Sequence, residues 1–584
     1  MMTADPRVVS NAKAIPYISY KEAMELSHFG AKVIYPPTIQ PLMSKKIPVW
    51  IKNTFAADDY GTLIESNVLE DKNIVRGISS MGKMTFLSLE GSGMVGIPGF
   101  SRRLFGALAD KRINVILITQ SSSEHSICVA IDEANTHKAK KAVDHEFAYE
   151  IETNKVEPLQ VETGLSIIAL VGDNMKNHPG ISGKMFGALG RNSVNIRAIA
   201  QGSSEKNISA VISTADVSKA INVLHEEFFE TAYKQVNLFI IGLGNVGSRL
   251  IDQLRSQQAY LLEKMRLQLR VIGIANSRKM LLNEHGIDLD FWQEELLTAE
   301  EMKLDDFVDF ISRKSLRNPV FVDVTSSADV TFMYENLLRK SISIVACNKI
   351  ASSSAYGNYE RLKQLAREFN TSFLFETNVG ASLPIIGTLN DLVRSGDKVN
   401  RIEAVLSGTL NFVFNNYDGS IPFAKVVKQA EDEGYAEPDP RIDLCGTDVM
   451  RKILILARES GIRMEMEDIE SRSFLPESCL EGSVANFYRE MEIHEDHFRA
   501  IYENAAKNGN KLKFVASLKD GKASVGLQQV GKDHDLFHLY GKDNVVLFYT
   551  TRYVQQPLVI KGAGAGAEVT ASGIFADVIR AARV

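Results

Sequence analysis

Short, almost wholly apolar runs separated by amphipathic stretches dominate the second half of the chain. Val236–Ile241, Leu269–Ala275, Val320–Val324, Ile342–Ala346 and Ser372–Phe375 carry apolar residues at successive rather than alternate positions. A strand so apolar is buried on both faces, and the helical patterns between the runs supply the cover. The spacing therefore predicts a doubly wound parallel sheet of the α/β class.

A repeating pattern lies upstream. Residues 98–131 align without a gap on residues 179–212, with 15 of 34 positions identical. In each copy a helical stretch around Phe-Gly-Ala-Leu precedes a strand (NVILITQ or NIRAIAQ), a polar turn (SSSE or GSSE) and another strand. That order is the middle of a βαββαβ unit, so the chain holds two copies of one small domain. Helical periodicity follows over residues 216–229. From Asp443 onward the pattern is helical again, with Asp448 and Lys452 four apart on one face. On a wheel, Leu444 and Ile455 flank that face on one side, Cys445 and Leu456 on the other. An ordinary surface ion pair and a charged site set among apolar neighbours both fit this spacing.

Composition narrows the class of function. A chain of 584 residues exceeds what one core supports, so several domains are expected. With 45% apolar and 24% charged residues and a net charge of −6, it is an ordinary folded protein without a polybasic surface for nucleic acid or anionic membrane. Cys128, Cys347, Cys445 and Cys479 are scattered, which suits thiols in a reducing compartment. No apolar stretch approaches the ~20 residues of a bilayer span, and the start lacks signal-peptide order, so the cytoplasm is the expected location.

Ligands of open α/β sheets lie outside the carboxyl ends of the strands, so the residues found there are the candidates. After Val236–Ile241 come Gly242, Gly244 and Gly247 of GLGNVG, with Asn245 and Val246 between them, and then a helix. Dinucleotide binding needs this order: one glycine for the tight turn, one for approach of the pyrophosphate, one for helix–strand packing. The second strand ends in IGIANSRKM without the acid that favours a ribose hydroxyl. Arg278 and Lys279 suit a 2′-phosphate, which makes NADP(H) the preferred cofactor and NAD(H) the alternative; an exposed basic turn is the other reading. Later strands end in Thr325-Ser326-Ser327, Asn348-Lys349 and Glu376-Thr377-Asn378-Val379-Gly380. Lys349 comes one residue after ISIVAC, where an ammonium is costly, so it either serves a site or caps the strand. The densest charge lies in GYAEPDPRIDLCGTDVMRK, where Glu437, Asp439, Asp443 and Asp448 surround Pro438, Pro440 and Arg441.

In this order, GLGNVG, VDVTSS, VACNK, FETNVGASLPII, SGTLNF, GYAEPDPRIDLCGTDVMRK and KGAGAGAEVTASG resemble the motif set of homoserine dehydrogenases over residues 236–584. The duplicated unit resembles the paired ACT domains that sense amino acids. TADPRVVSNAKAIPYISYKEAMELSHFGAKV and IPVWIKNTFAADDYGTLI resemble the end of an aspartate kinase catalytic domain. The whole resembles the bifunctional aspartate kinase–homoserine dehydrogenases. The expected domains are a kinase remnant (1–66), two ACT-like domains (67–155 and 156–234) and an NADP-binding Rossmann domain (235–378). An α+β substrate-binding and dimerisation domain (379–556) follows, and a segment (557–584) returns to the nucleotide-binding domain.

The resemblance implies NADPH-dependent reduction of L-aspartate 4-semialdehyde to L-homoserine, in threonine and methionine biosynthesis. Lys452 becomes the proton donor and Lys349 a second ammonium near the nicotinamide. Asp448 and Asp443 keep Lys452 charged, Glu437 accepts the substrate ammonium, and Gly408, Thr409 and Tyr435 position the substrate. Thr325, Ser326, Ser327, Lys349 and Gly566 line the cofactor. Glu376, with the main-chain carbonyls of Val379, Ala381 and Leu383, holds a monovalent cation, Na+ or K+. Asn114, Gln120, Asn195 and Gln201 face an amino-acid effector, for which threonine is the expectation, and the protein is a homodimer or homotetramer. Arg7 and Lys32 match nucleotide-contacting kinase positions, but the Lys-Phe-Gly-Gly phosphate-binding segment is absent, so no kinase activity is expected of this chain. Cys445 and Ser382 depart from the family's usual residues. Two rival readings stand beside this one: an amino-acid sensor with a degenerate dehydrogenase, and an NADP-linked dehydrogenase of another amino-acid semialdehyde.

Overall fold

The computed structural model describes the chain except at residues 10, 31–32, 57, 67–73, 121–124, 174, 176–177, 202–205, 230–232, 315, 437–438, 542 and 583–584. Lys32, Glu437, Pro438 and the polar turns of both repeats thus lie outside the described residues. The chain divides into two compact units, Met1–Lys234 with Ser315–Arg317, and Gln235–Lys314 with Asn318–Val584.

In the first unit, Tyr17–Ser19 pairs in parallel with Thr62–Glu65, and Val49–Ile51 adds antiparallel. Helix Tyr20–His28 starts at Ser19, whose hydroxyl accepts from the Glu22 N–H while the Glu22 carboxylate accepts from the Ser19 N–H. The two repeats build one six-stranded antiparallel sheet around two long strands, Gly77–Glu90 and Gln160–Val171. Met84–Glu90 pairs with Ser126–Asp132 of the first repeat, and Leu165–Val171 with Asn207–Ser213 of the second. The long strands also pair with each other, and each lends residues to both cores: Leu87 and Val161 pack in the first repeat's core, Ile78 and Ile168 in the second's. Alternation along a strand says which residues face a core, not which strand lies alongside, so this sharing has no sequence signature. Separate cores lie under the helices, one with Leu104, Leu108, Val129 and Phe147, the other with Met185, Leu189, Ile208 and Leu224.

The second unit contains two sheets. The first runs Glu300–Glu301, Lys279–Leu282, Leu267–Ala275, Lys234–Ile241, Pro319–Asp323, Ser343–Ala346, Phe373–Leu374. The last four of these pair in parallel. Lys279–Leu282 and Glu300–Glu301 add an antiparallel edge that the apolar runs do not announce. The reversal comes from Asn276, whose Oδ1 accepts from the N–H groups of Arg278 and Lys279, both at 2.8 Å. Because Lys234–Ile241 lies between Leu267–Ala275 and Pro319–Asp323, the winding changes direction beside it, and that switch point opens a crevice at the strand ends. Leu238, Ile240, Leu254, Ile274 and Val322 form the core, joined by Ile574 and Val578 of the last helix, Ala567–Ala581.

The second sheet runs Glu470–Arg472, Lys522–Val530, Lys511–Lys519, Val399–Val405, Asn544–Thr550, Leu558–Gly562, antiparallel except for the parallel Glu470–Arg472 edge. Helix Thr447–Glu459 buries Val449, Ile453, Leu454, Ile455 and Leu456. The continuous helix expected from Asp443 is broken in two, Arg441–Leu444 and Thr447–Glu459. Gly446 makes the break with φ +75°, and the Phe514 ring stands 2.7 Å from where a Cβ would sit, so only glycine fits. Leu444 and Cys445 are consequently off the helical wheel that carries Asp448 and Lys452.

Candidate active site

On the charged face of Thr447–Glu459, Lys452 is enclosed while Asp448 stays partly exposed. The Lys452 side chain is 9% exposed, its Nζ lies 2.8 Å from Asp448 Oδ2, and it donates to the Leu406 carbonyl at 2.7 Å. The other oxygen of Asp448 lies 3.1 Å from Nζ of Lys349, which follows the parallel strand Ser343–Ala346. One carboxylate thus joins an ammonium at the end of the parallel sheet to one on helix Thr447–Glu459. Burial pushes the Lys452 pKa down; Asp448 opposes that, Lys349 reinforces it, and Asp443 opposes it more weakly. Burial alone would raise Asp448, but Lys452 and Lys349 more than offset it and hold the carboxyl well below the usual range.

Beside this pair, Ser407 Oγ accepts from the Leu410 N–H at 3.2 Å and starts helix Gly408–Asn416, which sets Gly408 and Thr409 in its first turn. The Thr409 hydroxyl donates to the Tyr435 carbonyl and lies 3.4 Å from Asp443 Oδ1. The Tyr435 ring packs on Phe412 with centroids 4.9 Å apart. Asp439 and Arg441 pair with each other at 2.6 Å and stiffen the loop.

The glycine turn faces the switch point. Gly242 has φ +100° and a Cβ there would stand 2.6 Å from the Val324 carbonyl; one at Gly247 would stand 2.1 Å from the carbonyl of Gly242. Gly244 has open space around it, and the helix it begins, Asn245–Met265, carries no side-chain cap. Asn245 is exposed there, while Val246 packs on the core. An open turn beside an uncapped helix start suits a pyrophosphate, so the residues present fit a dinucleotide. Thr325 donates its N–H to Asp323 at 2.7 Å, Ser327 its N–H to Thr325 Oγ1 at 3.2 Å, and Ser326 is exposed. Arg278 is exposed in the turn, whereas the Lys279 ammonium donates to the Ala299 carbonyl at 2.8 Å. Gly566 immediately precedes helix Ala567–Ala581.

Asn348, one of the strand-end candidates, and Asp323, which is not among them, tie the strand ends together. Asp323 is fully buried and accepts from the Tyr334 hydroxyl (2.7 Å) and the Asn348 amide (3.1 Å). Asn348 also donates to the Ser327 carbonyl at 2.8 Å and accepts from the Ile350 N–H at 3.0 Å. Burial raises the Asp323 pKa against these hydrogen bonds. The available signal was a carboxylate inside the apolar run FVDV, where an unpartnered acid is costly.

Glu376 is buried and accepts from the N–H groups of Ile386 (2.6 Å) and Gly387 (2.8 Å) and from Arg580 (3.2 Å). Burial raises its pKa, and the two backbone donors oppose this. Val379 and Ala381 are buried nearby in sequence, and the Leu383 carbonyl accepts from the Ile385 N–H at 2.8 Å. Among the described residues, no group of three or more His, Cys, Asp or Glu is placed to hold a metal. In the repeats, Asn114 and Asn195 are exposed just before strands Val115–Gln120 and Ile196–Gln201, which Gln120 and Gln201 end. Gln120 lines a cavity of about 290 Å³ with Pro98, Gly99, Ser101 and Ile127. In the second repeat Gln201 accepts from Ser182, the counterpart of Ser101, at 3.0 Å. Among the described residues, no helix is long and apolar enough to cross a membrane.

Comparison with known proteins agrees with this layout. Residues 242–376 match the homoserine dehydrogenase NAD-binding domain and residues 384–579 the homoserine dehydrogenase family. Residues 87–147 and 168–228 each match the ACT domain, and residues 1–53 the amino acid kinase family. A bifunctional aspartokinase/homoserine dehydrogenase of Haemophilus influenzae is 40% identical over 580 residues, which cover 99% of this chain and 71% of that protein. The chloroplastic bifunctional aspartokinase/homoserine dehydrogenase 1 of Zea mays is 41% identical over 591 residues, covering 99% of this chain and 64% of the relative. Among solved structures, a Candida auris protein of unknown function aligns with a TM-score of 0.55 at 35% identity, covering 60% of this chain and 99% of that one.

Proposed function

The chain belongs to the bifunctional aspartokinase/homoserine dehydrogenase family, and we propose that its NAD(P)-dependent dehydrogenase half reduces L-aspartate 4-semialdehyde to L-homoserine with NADPH. The observation that carries this reading is the Asp448 carboxylate held between the ammonium groups of Lys349 and Lys452. NADPH, when bound, supplies the hydride that reaches the aldehyde carbon. Negative charge then builds on the aldehyde oxygen, and a buried acid beside that atom lowers the barrier. Lys452 gives that oxygen its Nζ proton. Burial makes its ammonium a stronger acid than an exposed lysine, while Asp448 keeps it charged before reaction. Lys349 adds a second positive charge beside the growing alkoxide, and the neutral Lys452 amine regains a proton from solvent.

Asp443, Thr409, Tyr435, Gly408 and Glu437 hold the amino-acid end of the substrate. Arg278, exposed in its turn, takes the 2′-phosphate; Lys279, already bonded to a carbonyl, is the weaker contributor. Thr325, Ser326, Ser327 and Gly566 border the cofactor. A monovalent cation at Glu376 and the carbonyls of Val379, Ala381 and Leu383 belongs to the same reading, although Arg580 already balances that carboxylate. The repeats bind an amino-acid effector, threonine, through Asn114, Gln120, Asn195 and Gln201, in a homodimer or homotetramer.

NADPH oxidation assayed with aspartate 4-semialdehyde beside its one-carbon-longer homologue tests the substrate. Preference of about 100-fold in kcat/KM for the shorter aldehyde is expected, since a clamp on both ends rejects a misfit length; equal rates would assign another substrate. Threonine titrated calorimetrically should bind, and Gln120→Ala or Gln201→Ala should weaken it about tenfold, the scale of one lost hydrogen bond. No heat from the intact protein would remove threonine from the scheme.

A further inference from the structure

The helix that carries Asp448 and Lys452 grips the parallel-sheet side a second time, at its far end. Arg458, whose side chain has no exposed surface, donates from Nη1 to the carbonyls of Ser352 (3.0 Å) and Ser354 (2.7 Å). Its Nε and Nη2 donate to the Met464 carbonyl (3.1 and 3.0 Å), and Nη2 also reaches Glu465 at 3.0 Å. Ser352 and Ser354 lie at the end of the short helix Ile350–Ser353, and Lys349 is the residue that starts it. The hydroxyls of Ser352 and Ser353 donate back to the Lys349 carbonyl at 3.0 and 2.7 Å. The segment from Lys349 to Ser354 is thus fastened at its start by Asp448 and at its end by Arg458, both from one helix.

We propose that Arg458 is a positioning residue that fixes the spacing between the Lys349 and Lys452 ammonium groups; this rests on the reading of both lysines as groups that serve the aldehyde oxygen. The Lys349–Asp448 pair cannot set that spacing alone. Both side chains are partly exposed, at 32% and 43%, and Lys349 has a flexible four-carbon stem. A guanidinium is planar and directs its N–H groups at fixed angles, so carbonyls from two segments on one guanidinium fix distance and orientation together. Its burial removes water as a substitute partner. Glu465 extends the clamp, since its two oxygens accept from the Tyr356 N–H at 3.0 and 2.9 Å, at the start of helix Tyr356–Glu368.

A double-mutant cycle separates positioning from plain stability. Arg458→Lys is expected to lower kcat about 30-fold while NADPH affinity by fluorescence stays within about threefold, because a shift near 1 Å costs on that order. In a Lys349→Ala background the further loss should shrink to about threefold or less, since the group being positioned is gone. An equal loss in both backgrounds overturns the proposal. An unchanged kcat in Lys349→Ala alone overturns instead the reading of Lys349 beneath it, and that result is seen independently of Arg458. Where Arg458→Lys fails to fold, Glu465→Gln weakens one partner of the guanidinium and should show the same coupling at about a threefold scale; additive losses there also overturn the proposal.

Discussion

Among the described residues, Lys452 and Lys513 are both buried, and they are buried differently. Lys452 meets a carboxylate, and through it a second ammonium, at a site whose other members are partly exposed. Lys513, on strand Lys511–Lys519, is 1% exposed and donates to three neutral oxygens: Asn411 Oδ1 (3.2 Å), Asn415 Oδ1 (2.5 Å) and the Leu539 carbonyl (2.5 Å). Burial pushes Lys513 down to about 8, with Lys511 and Lys561 adding to the shift. Desolvation weakens both bases, so a lowered pKa does not by itself mark a catalytic group. What separates them is the company. Lys513 uses its three protons to fasten helix Gly408–Asn416 to the loop at Leu539, whereas Lys452 has a carboxylate partner that favours its charged form.

Replacing each lysine gives the largest contrast. Lys452→Ala should lower kcat about 1000-fold or more, within the range for a lost general acid, with NADPH affinity retained. Lys513→Met should lower it less than tenfold, on the scale of an indirect shift of Thr409. Equal losses, measured by steady-state NADPH oxidation, would erase the distinction. Asp448→Asn is the next test, with a loss of about 30-fold expected from removing one charge-assisted hydrogen bond to each lysine. Its sharper signature is in pH. Asp448 raises the Lys452 pKa, so without it that pKa falls further. Aldehyde reduction needs the ammonium form, and its alkaline limb should therefore move to lower pH in the variant. Homoserine oxidation needs the neutral amine, and its rise with pH should begin earlier. A limb that stays in place would detach Asp448 from the proton donor.

The same contrast marks where the sequence is readable. Gly242 and Gly247 are legible because a strand, a tight turn and a helix impose steric demands at fixed intervals, and only glycine meets them. The Asp448–Lys452 pair is legible because four residues is one helical step. Its contact with Lys349 is not, since it joins a helix to the end of a strand about 100 residues away in sequence, and local periodicity carries no such information. Lys513 is hidden for a related reason: a lysine in an alternating strand reads as solvent-facing, and only Asn411, Asn415 and Leu539, supplied by other segments, turn it inward. Asp323 could have been found, because a carboxylate at the end of an apolar strand requires donors. Glu437 is the opposite case, a residue assigned by resemblance and outside the described residues.

The smallest expected effect concerns stability, and it distinguishes a fastener from an acid without any assay of turnover. The folded pKa of Lys513, about 8, lies below the ~10.4 of an unfolded lysine. Between those values the unfolded chain binds more protons than the folded one, so this group makes stability rise as pH climbs from about 8 toward 10. Below pH 8 both states carry the proton and the contribution is flat. Urea unfolding at pH 7.5 and 9.5 should show the wild type gaining up to about 2 kcal/mol relative to Lys513→Met, because all other titrations cancel in the difference. Parallel pH dependences in the two proteins would mean that Lys513 titrates as an exposed lysine does, and its three neutral oxygens would then be compensating burial far better than their chemistry allows.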